Sequence, residues 1–292
     1  MRTDLALERR ESIRGNREIK GVILEEEERE NGEIKISKVE IKTKEGSKAM
    51  GKPKGTYITI EMEGESEECA IAQLKMQLDE LAGKMGERKI LVIGLGNREI
   101  TPDALGPWTI DHLFVTRHLI REYGDAFQKR NHMKNVSALA PGVMAQTGME
   151  TKEILLGIVG QLKPDLVVVV DALAARSVKR LNRTIQITNT GISPGAGVGN
   201  NRMALNKETL GVEVLAIGVP TVVDAQTIVE DRVGESLLAA GFTQKESELF
   251  VNGMKEQHTK NMFVTSKDVD EEVKKMSHIL SEAINRYVMP KS

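Results

Sequence analysis

Leu-Val-Val-Val-Val-Asp-Ala-Leu-Ala-Ala-Arg, residues 166–176, is the stretch from which the fold can be read. Its first five residues are apolar without alternation. A strand with one wet face would alternate, so this one is buried on both faces, as strands of helix-covered parallel sheets are. Asp171 is the first polar residue after the run, placed where the strand meets the carboxyl edge of the sheet.

On either side, helix and strand patterns alternate. Cys69–Leu81 carries apolar residues at helical spacing and stops at Gly83, and Lys89–Leu95 is a short apolar strand. Pro107–Tyr123 reads as one helix with proline in its first position. Val136–Ala140 reads as a strand, and Thr151–Leu162 as a helix halted before Pro164. Ile185–Thr188 and Val212–Val219 are further strands, and Val273–Val288 is the clearest helix near the end. Such alternation predicts an α/β fold: a three-layer α/β/α arrangement with a mostly parallel sheet.

Residues 21–65 differ in texture. Gly21–Leu24, Ile34–Ile41 and Thr56–Met62 alternate apolar and polar residues, with turn chemistry at Asn31-Gly32 and within Gly46–Gly55. They predict a small antiparallel β subregion packed beside the main domain, with Glu25–Glu30 as a solvated tip. Residues 1–20 are charged, with a short amphipathic pattern (Leu5, Leu7, Ile13), and read as a loosely attached arm. The expected organisation is therefore an arm (1–20) and a single domain (21–292) that includes the β-rich subregion 21–65.

Composition narrows the function. A net charge of −2 offers no field to draw the chain onto nucleic acid or anionic membrane. Aromatic residues make up 3 %, too few for a base-stacking platform. Cys69 is the only cysteine, so no intrachain disulfide can form, which fits a reducing, cytoplasmic setting. No run is long enough to span a bilayer, and the charged N-terminus lacks the apolar segment of a secretory signal. We therefore expect neither a nucleic acid nor a membrane as partner.

Two predicted strands run into carboxylates at the carboxyl edge, where open α/β sheets keep their functional crevice. One is Asp171. The other is Asp103, in Thr-Pro-Asp-Ala-Leu-Gly-Pro (101–107), beyond the Gly94-Leu-Gly exit of the strand 89–95 and bracketed by Pro102 and Pro107. Partial desolvation there would raise a carboxyl pKa, and two carboxyls in one cleft form a general acid/base pair. Peptide hydrolysis is open to such a pair with no cofactor and no metal. The same residues would equally serve as a cap on the following helix (Asp103) and an acceptor for loop amides (Asp171).

Other constellations fall short. Gly94-Leu-Gly lacks the third glycine of a dinucleotide fingerprint, and Gly191–Gly199 lacks the ending of a P-loop. That glycine-rich segment, with Gly195, Gly197 and Arg202, is either an ordinary crossover or the lining of a substrate groove. The five histidines show no zinc spacing, and Ser193 lacks a nucleophile elbow.

These residues also carry a resemblance. Arg2-Thr-Asp-Leu-Ala, Gly94-Leu-Gly-Asn, Thr101-Pro-Asp-Ala-Leu-Gly-Pro and Pro141-Gly-Val-Met-Ala-Gln-Thr-Gly are followed by Asp171-Ala-Leu-Ala, Gly195-Ala-Gly-Val-Gly-Asn and Gly218-Val-Pro-Thr-Val-Val-Asp-Ala. Over nearly its full length the chain resembles the germination proteases of spore-forming bacteria. The resemblance implies an atypical aspartic endopeptidase, distantly similar in fold to hydrogenase maturation proteases, with Asp103 and Asp171 as its essential aspartates. It implies small acid-soluble spore proteins as substrates, a homotetramer, and a place in the spore core. It also implies a zymogen that loses an N-terminal segment by cleavage after an acidic residue and before an apolar residue and alanine. Asp4-Leu5-Ala6 fits, which predicts a short propeptide of residues 1–4 and self-processing between Asp4 and Leu5. The alternative is a metal-dependent peptidase with acidic ligands, for which Asp224 is the candidate third carboxylate.

Overall fold

The structure is a computed structural model describing residues 3–13, 19–29, 32–64, 66–83, 88–195, 203–253 and 262–289. Its strands are β1 Val22–Arg29, β2 Ile34–Ile41, β3 Gly55–Met62, β4 Lys89–Gly94, β5 Asn135–Leu139, β6 Leu166–Ala175, β7 Thr184–Thr188, β8 Glu213–Asp224 and β9 Phe263–Val264. Its helices are α1 Ala6–Ser12, α2 Lys44–Met50, α3 Glu67–Ala82, α4 Leu105–Asp111, α5 Arg117–Arg130 and α6 Met144–Thr147. They continue with α7 Thr151–Leu162, α8 Lys207–Leu210, α9 Ala225–Ala239, α10 Gln244–Gly253 and α11 Val269–Val288.

The strands join one sheet in the order β1-β2-β3-β7-β8-β6-β4-β5, with β9 added to β8. The half β8-β6-β4-β5 is parallel, and β6 lies inside it, as its unbroken valine run requires. Val168 and Val170 face the cluster built with α3 and α11, including Leu74, Leu78, Ile279 and Leu280. Val167 and Val169 face the opposite cluster, with Leu155 of α7 and Leu210 of α8. Helices thus cover both faces, and the three-layer α/β/α class stands.

Several local expectations are corrected. The antiparallel strands do not form a separate sheet beside the domain. β7 is antiparallel to both β3 and β8, and so carries the sheet directly into β1–β3. Glu25–Arg29 belongs to β1, an edge strand whose glutamates face water, so charge there shields an open edge. The segment 44–50 is the helix α2, capped by Thr43 and ended by the left-handed Gly51. Pro107–Tyr123 is two helices rather than one. The chain breaks between them because Thr116, fully buried, spends its hydroxyl on the Lys134 carbonyl at 2.5 Å. The arm is docked: Leu5, Ala6 and Leu7 are buried against the sheet.

Candidate active site

β6 is longer than its valine run. Gly94, the last residue of β4, pairs with Val170, whereas β8 accompanies β6 as far as Ala175. Asp171 is therefore not beyond the strand. It is the first β6 residue past the point where β4 has left, so the sheet opens beside it. That divergence makes the crevice.

The exit of β4 brings the second carboxylate back to it. Leu95 still donates its N–H to the Val170 carbonyl at 2.8 Å, and Gly96 then turns with φ +115°. The chain returns through a short 3₁₀ turn, Thr101–Asp103. Asp103 accepts the Asn97 N–H on Oδ2 at 2.7 Å, so its carboxylate faces the β4 exit rather than capping α4, whose cap residue Ala104 has no side-chain bond to give. Asn97 is held in turn by Gln146 of α6, at 3.0 Å from its Oδ1. A bulge in the β6–β8 pairing leaves Thr221 as an extra residue on β8. Its buried hydroxyl donates to the Pro102 carbonyl at 2.6 Å and anchors the turn.

Asp103 and Asp171 line one cleft of about 560 Å³. Asp171 is 6 % exposed, and Asp103 is half-buried. Leu95, Pro102, Thr221 and Phe263 supply walls, and Pro194 and Gly195 reach its rim. Of the glycine-rich segment, Gly195 lines the cleft. Gly197 and Arg202 lie outside the described residues. Asp224, the candidate third carboxylate, is not at the cleft. It caps α9, accepting the Thr227 N–H at 3.1 Å and the Thr227 hydroxyl at 3.0 Å. Among the described residues no three His, Cys, Asp or Glu side chains gather to hold a metal ion, so the donor set does not fit one.

Asp4 also lines this cleft. Its N–H donates to the Ala174 carbonyl at 2.9 Å, and Ala174 returns its own N–H to Asp4 Oδ2 at 2.9 Å. Val170 already turns its carbonyl toward β4 through Leu95, and strand backbone alternates, so Ala172 and Ala174 face that same side. The arm therefore takes the edge that β4 has vacated. Leu5 packs on Leu173 and Ala175, which share the face of β6 that carries the Asp171 side chain. Glu8, buried, accepts the N–H groups of Arg176 at 2.7 Å and Ser177 at 3.0 Å and pairs with Arg180 at 3.4 Å. These bonds replace the loose attachment expected of so polar a segment. Thr221, Gly96 and Asn97 carry no motif of catalytic type, and only their tertiary contacts reveal a role.

The chain matches the germination protease family over residues 2–255. It is 46 % identical to the germination protease of Caldanaerobacter subterraneus subsp. tengcongensis, over 99 % of this chain and 94 % of that one. Identity is 42 % to the Clostridium perfringens germination protease (99 % and 95 % covered) and 40 % to that of Bacillus subtilis (98 % and 92 %). Among solved structures, a NiFe hydrogenase maturation protease, HycI from Thermococcus kodakarensis, aligns with a TM-score of 0.31 at 18 % identity, over 62 % of this chain and 99 % of that one. The extent and identity of the germination protease matches place the chain in that family, and it is a peptidase.

Proposed function

We propose that the chain is an endopeptidase that starts the degradation of small acid-soluble spore proteins at germination, with Asp103 and Asp171 as its acid/base pair. The observation that carries the reading is the departure of β4 after Gly94, which opens one cleft lined by both carboxylates and by Asp4. In the ionised member of the pair, the carboxylate takes a proton from water as the water oxygen bonds to the scissile carbonyl carbon. The protonated member then gives its proton to the leaving nitrogen as the C–N bond breaks. One water is consumed, and a carboxyl and an amine are formed.

In this reading the chain is a zymogen, processed by itself between Asp4 and Leu5. The support is the position of Asp4 on the cleft wall, hydrogen-bonded along β6 as an extended substrate would be. The working form is a homotetramer in the spore core, and exposed Leu238, Phe242, Leu249 and Phe250 around α9 and α10 supply apolar surface for such an assembly. No helix is long and apolar enough to cross a membrane among the described residues.

The test is the N-terminus of the purified chain after incubation. The reading expects Leu5 as the first residue in the wild type and Met1 in Asp171→Asn. An intact Met1 in a chain that cleaves spore proteins would remove self-processing from the account.

A further inference from the structure

The carbonyl of Asp4, the one that self-processing would attack, is held by two side chains outside the carboxylate pair. Lys52, just past α2, places its Nζ 2.7 Å from the Asp4 oxygen. Gln186 of β7 places its Nε2 3.3 Å from the same oxygen, while its Oε1 accepts the Ala6 N–H at 2.7 Å. The Asp4 carboxylate, meanwhile, accepts from Ala174 and lies close enough to the Lys52 ammonium to attract it. Each polar group of Asp4 thus meets a donor or acceptor that would suit any acidic residue there.

Resting on the reading of Asp4–Leu5 as a cleavage site, we infer that Lys52, Gln186 and the Ala174 N–H form the subsite for the residue preceding the scissile bond. Lys52 acts in it as the electrophile on the scissile carbonyl and as the reader of acidic side chains. Charge develops on that oxygen as water attacks, and donors placed there beforehand stabilise the transition state more than the ground state. An ammonium with a carboxylate on one side and a growing oxyanion on the other favours Asp over Asn at that position. A spore-protein segment would take the same place once the arm has left, adding itself to the open edge of β6.

Lys52 is half-buried overall, but its ammonium end is desolvated. Desolvation lowers its pKa below the ordinary lysine value, opposed by Asp4 and reinforced by Arg9 of α1. Tyr57 of β3 lines the same small cavity of about 170 Å³ and, itself buried, has its pKa pushed up to about 12. The group on the Asp4 carbonyl is therefore a cation, and so a reader of carboxylates, only below the pKa of Lys52.

The experiment compares cleavage of two peptides, one carrying Asp-Leu-Ala and one Asn-Leu-Ala, by the full chain and its variants. Wild type prefers the Asp peptide. In Lys52→Met, kcat falls on the order of 10²-fold and the Asp-to-Asn preference collapses. Lys52→Arg, which keeps the charge, restores the preference. In wild type the preference also declines as pH rises through the lowered pKa of Lys52, whereas Lys52→Arg holds it. A preference unchanged in Lys52→Met overturns the assignment, whatever happens to absolute rates. Should Lys52→Met not fold, a wild-type preference that stays flat up to pH 10.5, the ordinary lysine value, overturns it equally. A wild-type chain that has lost residues 1–4 and still cleaves neither peptide sinks the reading of Asp4–Leu5 as a cleavage site, so the two failures are told apart.

Discussion

A methyl group on Gly96 would stand 1.9 Å from the carbonyl oxygen of Asp103, and Gly96 holds φ +115°. The β4 exit and the carboxylate-bearing turn thus touch at a point where only a hydrogen fits. Gly96→Ala must push the Thr101–Asp103 turn away and adopt a backbone conformation that costs about 1–3 kcal/mol. We expect cleavage to fall by two orders of magnitude or more, since a misplacement of about 1 Å can cost about 10²-fold. Peptidase assays beside thermal unfolding check this, and full activity in a destabilised variant would contradict it.

Thr221 anchors the same turn from β8. Thr221→Val preserves shape and removes the buried hydroxyl, leaving the half-buried Pro102 carbonyl without that donor. The expected loss is about 0.5–1.5 kcal/mol of stability, together with reduced kcat. Chemical denaturation and steady-state kinetics measure both. An unchanged kcat would show that the turn keeps its place without the bulge residue.

Asp224 is a helix cap in this structure. Asp224→Ala should therefore cost about 0.5–2 kcal/mol and leave peptide cleavage near wild type. Lost cleavage with unchanged stability would return Asp224 to the chemistry. Cleavage in excess chelator should likewise persist, because among the described residues no three carboxylate, imidazole or thiol groups gather to hold a metal ion.

Lys134 sets a pH dependence. Its Nζ donates to the Tyr287 carbonyl at 2.7 Å and lies 3.6 Å from the Tyr287 ring centre. Desolvation lowers its pKa to about 8 from the ordinary 10.5, with Asp79 opposing and Lys75 and Arg88 adding to the fall. Between those values the unfolded chain keeps a proton that the folded chain has lost. Stability should therefore rise with pH across that window, and Lys134→Met should flatten the rise. Denaturant melts at pH 7.5, 9 and 10 would show it, and identical profiles would deny it.

The parallel core was legible because its signals are local. The valine run of β6, the short β4, and the helical spacing in α7 and α11 each lie within a single segment. Asp103 and Asp171 were legible as crevice residues because the carboxyl edge of a parallel sheet is where a crevice lies. Asp171, however, sits within β6 where β4 has left and not at the strand's end. The extension of β6 through Ala172–Ala175 was not legible, since small alternating residues carry little strand signal and their pairing with β8 is a tertiary fact. The docked arm was missed for a related reason. Glu8 looks solvated in sequence, and its burial is made tolerable by Arg180, the Thr3 hydroxyl and the backbone amides of Arg176 and Ser177. Lys52 and Gln186, far apart in the chain, meet only at the Asp4 carbonyl.

The most direct test of the account is the cleavage rate of Asp103→Asn and Asp171→Asn on one Asp-Leu-Ala peptide, with unfolding followed in parallel. Asparagine keeps the size of each side chain and removes its acid/base capacity, which contributes about 10²–10⁴-fold. The account predicts a loss of at least that order in each variant with the cooperative unfolding transition retained. Cleavage within a few-fold of wild type in either variant would contradict it.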